Sequence, residues 1–528
     1  MLLSSLVGGL IQKLCDVPTL GAYPVTVTLF LALGISVLTQ SIYNVFFHPL
    51  NSYPGPLLWR AARLPYVVRA LQGRLVYDML KLHKRYGPIV RVAPNELSVQ
   101  YEDAWEEVHG GTYDNEMQKW KPYYRVQPEQ TGFIMTAPPE DHSKMRRALS
   151  YGFSDRGIHE LESHMITTLD IMLDRLIGIC GGQDHKSPHK PVKGDVCLGE
   201  ATIDVTKWCN FITFDMIGML TFGESFNCLK TGTYHPWVEP IVKLTRYSGI
   251  LANLGFYPKF QELLLRLFGG VICRRMNFHQ NHSRAALERR AEKEERSDLL
   301  SESLKQAQVS EHHPLSWDKL VMNASTLVVA GSETSATTLT AALYLILSNP
   351  DSYHRLQNEV RSAFRSKSDI NIFAVNKLVY MLACLNETMR MLPAVPGGLP
   401  RVVSSGGRVL NGKFVPEDTI VAIWHWALYH NDNFFQHPFE FHPERFLGVP
   451  DFMSDARHMF QPFHVGRRAC IGRSLAYAEM KLILARLIFE FDMEIVDKDC
   501  NWLRQLRPFN FWYKTPLYVR IKARECLG

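Results

Sequence analysis

The sequence predicts a mainly α-helical protein with a minor β region, preceded by one transmembrane helix. Three observations carry this prediction. A run without charged residues, 17–47, lies near the N-terminus. Long apolar segments with helical periodicity follow, above all at 316–350 and 470–491. Short β-branched stretches bounded by turn residues occur at only a few places, which indicates a small amount of β structure.

Composition excludes several classes of protein. The 528 residues are 46% hydrophobic and 21% charged, which is a globular composition with ample material for a large core. The net charge of +6 is mild, and basic residues do not alternate with aromatic ones in one tract, so we expect no nucleic-acid partner. An acidic protein partner or an anionic membrane surface suits this charge better. The ten cysteines include no C-x-x-C pair, which argues against a zinc site.

The uncharged run 17–47 predicts a membrane anchor, because about 20 apolar residues cross a bilayer. Four arginines follow it before the first acidic residue, Asp78, so the positive-inside rule predicts a cytosolic body. A cleaved signal peptide is the alternative, which the length of the run and its distance from the start disfavour. Three prolines in 48–56 then end the anchor helix, as a stiff hinge or as an ordinary proline-rich loop.

Beyond the hinge the sequence alternates helical and turn-rich segments. Residues 86–100 have β-branched content and turn residues at both ends, which predicts a hairpin of short strands. Helical periodicity predicts helices at 158–180, 201–222 and 237–267. Composition further predicts a polar surface loop at 180–195, a charge-dense solvated helix at 284–298, and strands near 399–403, 407–415 and 515–522.

The longest predicted helix covers 316–350. It begins with Ser316 as N-cap and ends at an Asn-Pro step, and at 1.5 Å per residue it would span roughly 50 Å. Because it is apolar nearly all round, we expect it at the centre of the core. In its middle, Gly331, Glu333 and Thr334 interrupt the apolar run. Serine and threonine can bond back to a carbonyl one turn earlier, so a distorted structural helix and a functional site both remain open.

The segment FHVGRRACIG, 463–472, matches the spacing F-x-x-G-x-R-x-C-x-G. A thiolate binds iron, and it forms where positive potential and N–H donors stabilise the charge. Since a helix is predicted directly after Cys470, the helix dipole and free amides would face the sulfur. Gly466 permits a tight turn, Gly472 lets a flat cofactor approach the backbone, and Arg468 suits a carboxylate. A buried, inert cysteine is the alternative.

Two charged motifs on predicted helices are weak signals in isolation. NETMR places Glu387 and Arg390 on one helix face, and FHPERF adds Arg445 about 55 residues later. DHSKMRR places His142 and Arg146 four residues apart, also on one face. Pairs of this kind are common surface contacts that contribute little to stability.

These motifs stand in the order found in the cytochrome P-450 superfamily of haem-thiolate monooxygenases, which the chain resembles over about residues 48–520. The likeness is greatest to membrane-anchored filamentous-fungal members of secondary metabolism, of the isotrichodermin-hydroxylase type. It implies the cytochrome P-450 fold, with an anchor at 1–48 and a haem-thiolate catalytic domain at 49–528. Arg467 is a departure, because many members carry proline there.

The resemblance also implies a role for each motif. Cys470 is the axial ligand to the iron of haem b. Gly331 opens a groove where dioxygen binds, while Glu333 and Thr334 supply protons. The remaining haem contacts are Phe463, Gly466 and Gly472 of the loop, together with Arg468, Arg146, His142 and, from the LPR segment, Arg401. The buried salt-bridge triad consists of Glu387, Arg390 and Arg445.

The implied function is insertion of one oxygen atom from O₂ into an apolar small molecule of fungal secondary metabolism, such as a terpenoid, polyketide or alkaloid. Electrons come from NADPH through NADPH-cytochrome P-450 reductase. The implied location is the endoplasmic reticulum membrane, with a single span and a cytosolic catalytic domain. Desaturation, epoxidation, aryl coupling or rearrangement on the same fold are alternatives, and a non-catalytic haem-binding membrane protein is a remote one.

Overall fold

The computed structural model describes residues 23–111, 115–124, 132–182, 199–242, 249, 252–253, 255–293, 297–309, 316–499 and 501–524. The predicted surface loop at 180–195 lies outside these residues from position 183 onward. Parts of the predicted helices at 237–267 and 284–298 also lie outside them.

Helices dominate the described residues. The α-helices are α1 Tyr23–Ile42, α2 Leu57–Ala61, α3 Leu64–Leu71, α4 Leu75–Tyr86, α5 Ala104–His109, α6 Lys121–Tyr124, α7 Pro139–Leu149, α8 Asp155–Glu160, α9 Glu162–Cys180, α10 Val205–Phe222, α11 Cys228–Thr231, α12 Pro258–Ala291, α13 Ser301–Val309, α14 Trp317–Leu347, α15 Pro350–Ala363, α16 Ile372–Val375, α17 Val379–Met391, α18 His425–Tyr429, α19 Arg473–Glu490 and α20 Trp502–Gln505. A π-turn, Tyr43–Phe47, extends α1, and short 3₁₀ turns include Pro443–Phe446.

The strands are short and form small sheets. They are β1 Ile89–Ala93, β2 Glu96–Val99, β3 Gln118–Lys119, β4 Glu200–Asp204, β5 Arg401–Val402, β6 Arg408–Leu410, β7 Lys413–Val415, β8 Ile420–Ala422, β9 Phe491–Ile495, β10 Arg507–Pro508, β11 Trp512–Tyr513 and β12 Tyr518–Ala523. The largest sheet has the order β1-β2-β8-β5-β3, and a second has the order β4-β12-β9. The predicted fold class, mainly α with a minor β region, is confirmed.

The hairpin predicted at 86–100 forms as the antiparallel pair β1 and β2. The helix predicted from 201 begins later, at Val205. Residues Glu200–Asp204 instead pair antiparallel with β12, so a long-range strand partner overrides the local helical pattern. The Asp204 carboxylate then caps α10, accepting hydrogen bonds from the amides of Thr206 (3.1 Å) and Lys207 (3.4 Å).

Helix α14 runs through the core as its length and composition predict. Ser316 is its N-cap, and the Ser316 hydroxyl accepts from the amide of Lys319 (3.5 Å). Leu320, Leu339 and Ile346 are fully buried. The helix packs against α10, α12, α17 and α19, so it is the element around which the other helices are arranged. Helix α19, which follows Cys470, is thereby held beside the middle of the longest core helix.

The N-terminal helix differs from the others because its apolar side chains face outward. Phe30 is 75% exposed and Leu33 is 61% exposed. The described residues hold one helix, Thr26–Phe47, that is long and apolar enough to cross a membrane. The Asn44 side-chain amide donates to the carbonyl of Ala61 (2.9 Å) and so connects the end of this helix to α2.

Candidate active site

The segment 463–472 forms a tight loop that leads into α19. The Cys470 amide donates to the carbonyl of Phe463 (2.8 Å), which closes the loop. Gly466 has φ 74°, and a Cβ there would lie 2.2 Å from the carbonyl oxygen of His109. Only glycine fits this position, because a side chain would meet both an unfavourable backbone conformation and a backbone oxygen. The tight turn that the sequence predicted at Gly466 is present, and the close backbone contact explains why the residue is glycine.

The Cys470 thiol is both accessible and partly enclosed by protein. Its side chain is exposed, yet burial raises its pKa. A sulfur that is accessible on one side and surrounded by protein on the others satisfies both observations. The amide of Gly472, the N-cap of α19, and the guanidinium of Arg146 lower the thiol pKa. A metal ion on the open side would complete the ionisation, because a coordinated thiol is deprotonated.

Helix α7 contacts the cysteine loop through one face. Arg146 donates to the carbonyl of Ala469 (2.6 Å), and Arg467 donates to the hydroxyl of Ser143 (2.6 Å). His142 is buried on the same helix, and burial, Arg468 and further cations lower its pKa to about 3. His142 is therefore neutral near neutral pH, and Arg146 provides the charge that stabilises the loop.

A buried group of cations lies beside the loop. Glu116 accepts from Arg401 Nη1 (3.2 Å) and is ion-paired with Arg468, and all three side chains are at most 5% exposed. Lys119 stands opposite Arg401 in the β3–β5 pairing. Burial, Arg401 and Arg468 lower the Lys119 pKa well below its ordinary value. The sequence analysis missed Glu116 and Lys119, because no local motif marks them and strand pairing brings them to the site.

This cationic group fits the carboxylates of a haem. Arg401 and Arg468 carry two positive charges and Glu116 supplies one negative charge, and a carboxylate beside Lys119 would favour the charged form of this lysine. Within the described residues, Glu116 Oε2 and Arg401 Nε have no hydrogen-bond partner although both are buried. Buried charges are stable only when paired, and two propionate carboxylates would balance the excess. The donor set therefore fits a haem, whose iron Cys470 would hold and whose propionates these cations would hold.

A cavity of about 800 Å³ opens next to this group. Trp120 and Tyr124 contribute aromatic walls, Pro138 an aliphatic one, and Lys119 and Arg468 line the side towards the cysteine loop. The volume is in the range of sites for small organic molecules.

The middle of α14 has one open face. Ala330 is exposed and Thr334 is half-exposed, although most of the helix around them is buried. The Thr334 hydroxyl donates to the carbonyl of Ala330 (2.7 Å), which is the back-bonding that the sequence left open. Gly331 faces α10, where a Cβ would lie 2.9 Å from a methyl carbon of Ile217. The absence of a side chain at Gly331 therefore permits the close packing of α14 against α10.

Glu333 is buried and points to a partner from the C-terminal part of the chain. Its Oε1 forms an ion pair with Lys514 Nζ, and both side chains are at most 4% exposed. Lys514 Nζ also donates to the Thr337 hydroxyl (2.8 Å). The second carboxylate oxygen, Oε2, has no partner among the described residues. The sequence analysis missed Lys514, which lies in no motif.

Glu387 and its two arginines meet in the core. Glu387 accepts from Arg390 Nε (2.8 Å) and from Arg445 Nε (3.2 Å), and all three side chains are 0% exposed. Arg445 also forms an ion pair with the fully buried carboxylate of Asp455, a fourth member that the sequence analysis missed. The Arg390 guanidinium donates to the backbone carbonyl of Tyr429 (2.9 Å), so the cluster holds several loops together.

His464 of the cysteine loop packs against two further histidines, and no local sequence motif predicted this cluster. The rings of His109 and His425 lie 4.8 Å and 4.6 Å from the ring of His464, and Trp105 covers them. Burial lowers the pKa of His425 to about 4 and the pKa values of the other two well below their ordinary value. They form a neutral packing layer that supports the loop.

This fold and site define the class of haem-thiolate proteins. The family model for cytochrome P-450 matches residues 54–519, so the chain belongs to the cytochrome P-450 family. Membership implies a haem held by a cysteine thiolate, a redox partner, dioxygen and a small substrate.

Relatives of full length agree with this membership. Cytochrome P-450 monooxygenase tpeC of Talaromyces stipitatus is 37% identical over 96% of this chain and 97% of its own length. Cytochrome P-450 monooxygenase astA of Talaromyces wortmannii is 39% identical over 92% and 94%. Trichothecene C-15 hydroxylase of Fusarium sporotrichioides is 37% identical over 92% and 95%. The protein is accordingly an oxidoreductase that incorporates oxygen from O₂.

Proposed function

We propose that this protein is a membrane-anchored monooxygenase that hydroxylates an apolar intermediate of fungal secondary metabolism. The observation that carries the proposal is the open face of α14 at Ala330 and Thr334, on a helix that packs against the helix following Cys470. A partly exposed hydroxyl on an otherwise buried helix suits proton supply to a reacting centre.

Each residue of the site has a proposed task. Bound haem supplies the activation of dioxygen and the transfer of one oxygen atom. Cys470 binds the iron and donates electron density to it. Arg401, Arg468 and Lys119 bind the propionates, and Arg146 supports the cysteine loop through the Ala469 carbonyl.

Thr334 and Glu333 have the proposed task of moving protons on the distal side. Thr334 orients water with its hydroxyl on the open face, and Glu333 exchanges protons with that water. The side chain of His142 lies among cations, and its neutral ring would contact a propionate as a hydrogen-bond donor. Gly331 serves the approach of α14 to α10.

The proposed electron donor is NADPH, through NADPH-cytochrome P-450 reductase. The proposed location is the endoplasmic reticulum, where 1–48 span the membrane once and 49–528 form the cytosolic catalytic domain. The outward-facing apolar helix α1 and the arginines that follow it support this arrangement.

The proposed substrates are apolar terpenoids, polyketides or alkaloids. The likeness to trichothecene C-15 hydroxylase and the aromatic wall of the cavity at Trp120 and Tyr124 support this range. The same site could end its reaction in desaturation, epoxidation, aryl coupling or rearrangement, since oxygen activation alone does not decide the product.

The test uses the full-length protein in microsomes with reductase, NADPH and isotopically labelled dioxygen. A panel of apolar terpenoids, polyketides and alkaloids is first screened for a shift of the haem absorption band. A product that contains one labelled oxygen supports hydroxylation or epoxidation, which the product's structure distinguishes. An oxidised product without label indicates desaturation, coupling or rearrangement. Binding without any substrate-dependent NADPH consumption contradicts the monooxygenase proposal and favours a non-catalytic haem protein.

A further inference from the structure

Lys514 places a positive charge inside the core beside the functional segment of α14. It follows β11 and lies 181 residues after Glu333 in sequence. Its ammonium group contacts the Glu333 carboxylate and the Thr337 hydroxyl (2.8 Å). The Thr337 hydroxyl in turn donates to the backbone carbonyl of Glu333 (2.8 Å). Lys514 and the two side chains of α14 thus form one closed group.

Hydrogen bonds on both sides of Lys514 hold the chain in place at this point. The Trp512 indole N–H donates to the carbonyl of Pro393 (2.7 Å). The carbonyl of Thr515 accepts from the Thr206 hydroxyl (3.0 Å). The backbone at Lys514 is therefore held within reach of Glu333, and the ammonium group contacts the carboxylate there.

Stability alone does not account for a charged pair at this place. Two charges lose their hydration when buried, and well-packed apolar side chains of similar size would serve the fold at least as well. The pair does have one property that an apolar contact lacks. It keeps a carboxylate ionised inside a low-dielectric core, where an isolated carboxyl group would take up a proton.

We propose that Lys514 is a positioning residue for proton delivery: it holds Glu333 ionised, with Oε1 occupied and Oε2 as the atom that accepts and releases a proton. Oε2 is buried and has no partner within the described residues, so it is the open acceptor of this group. Glu333 then acts as a relay for protons that arrive from water and does not store one. This inference rests on the proposed role of Glu333 in proton supply.

The first experiment measures the protonation of Glu333 by infrared spectroscopy on the haem-loaded protein. We expect Lys514→Met to gain the C=O stretch of a protonated carboxyl group, because Glu333 loses its counter-charge. The double variant Lys514→Met/Glu333→Gln should lack that band, which assigns the band to Glu333. Lys514→Arg keeps the charge and should lack it as well. Absence of the band from Lys514→Met would overturn the proposal.

The second experiment measures product formed per NADPH consumed, across pH, with a substrate found in the panel above. We expect Lys514→Met to lower this ratio by about 10²-fold, in the range typical of a lost proton-transfer group. The ratio in Lys514→Met should recover as pH rises, because a buried carboxyl group without a counter-charge ionises only at higher pH. Tyr234 and Cys209 are the other titratable side chains beside this pair, and burial raises the pKa of both, so neither accounts for the recovery. Lys514→Arg should restore the wild-type profile.

Lys481→Met is the matched control. Lys481 is also buried, at 7% exposure, but its ammonium group bonds the neutral side chain of Asn376 (2.9 Å). We expect no carboxyl band and no change in pH profile in this variant. A Lys514→Met protein that only melts at a lower temperature, with an unchanged pH profile, would make Lys514 a structural contact and overturn the proposal. If no substrate yields product even with the wild type, the proposed function fails, while the infrared band still decides the protonation of Glu333.

Discussion

At the scale of single residues, Cys470 carries the assignment of the haem ligand. Cys470→Ser should abolish the red-shifted carbon monoxide band of the reduced protein, because that band requires a thiolate opposite the gas. Cys180→Ala removes a buried thiol far along the chain and should leave the band unchanged. The absorption spectrum of the reduced, carbon monoxide-treated protein is the measurement. A band that survives in Cys470→Ser would show that another group binds the iron.

Replacing Thr334 should uncouple NADPH oxidation from product formation. Thr334→Ala should keep haem binding and NADPH oxidation but lower product per NADPH by about 10²-fold, since a lost proton-transfer group typically costs 10²–10⁴-fold. The missing oxygen should appear as hydrogen peroxide, assayed in parallel. Thr340→Ala is the control, because Thr340 is a fully buried threonine on the same helix that also bonds back one turn, to Ala336 (2.7 Å). Equal ratios in both variants would reduce Thr334 to a packing residue.

The raised pKa of Glu479 leads us to expect that the free energy of unfolding depends on pH. Glu479 is buried on α19, receives a hydrogen bond from Ser335 of α14, and burial raises its pKa from 4.5 to about 8. The folded protein therefore keeps a proton that the unfolded chain releases between these values. This stabilisation is fully present at low pH and declines as pH rises through that window.

Glu479→Gln should remove that decline, because the amide is neutral at every pH. Between about pH 6 and pH 8 the wild type should lose about 2–3 kcal/mol more of its free energy of unfolding than the variant. Urea denaturation at both pH values is the measurement, and the exposed Glu106→Gln controls for loss of one carboxyl group. Parallel curves for wild type and Glu479→Gln would mean that Glu479 is ionised in the folded protein.

At the scale of elements, Glu387 joins α17 to the 3₁₀ turn Pro443–Phe446. Glu387→Ala should lose folded, haem-loaded protein, because it leaves Arg390 and Arg445 without their buried partner at a cost of about 3–5 kcal/mol. That is a large part of a typical stability of about 5–15 kcal/mol. Haem content and melting temperature are the measurements.

Glu444→Ala is the matched control for this prediction. Glu444 lies in the same turn as Arg445, but its ion pair with Arg355 is partly exposed, at 31% and 52%. Removing it should cost less than about 1 kcal/mol. Normal haem content and melting in Glu387→Ala would show that the buried cluster is dispensable.

At the scale of the whole molecule, the anchor is separable from the catalytic body. A protein starting at His48 should leave the integral membrane fraction yet bind haem, because every residue proposed to hold haem lies beyond it. A protein starting at Ser52 should be less stable by about 1.5–3 kcal/mol, since it lacks the fully buried Leu50. Alkaline extraction, haem content and melting temperature are the measurements. Alkali-resistant insertion of the shorter proteins would contradict a single anchor.

The sequence by itself determined what depends on residues a few positions apart. Helix α14, the loop from Phe463 to Gly472 and the pair of Glu387 with Arg390 follow from local spacing, because a helix or tight turn places such neighbours in one way. The start of α10 could not be predicted in this manner, since strand β4 takes its first residues.

Only the tertiary structure decided which distant groups meet. Lys119 stands beside Arg401 through the pairing of β3 with β5, and Asp455 joins Arg445 through a loop contact. Lys514 reaches Glu333 because the end of the chain folds back onto α14. A buried charge needs a partner, so the sequence indicates that one must exist. Which residue provides it depends on how strands, loops and helices pack, and no local spacing encodes that.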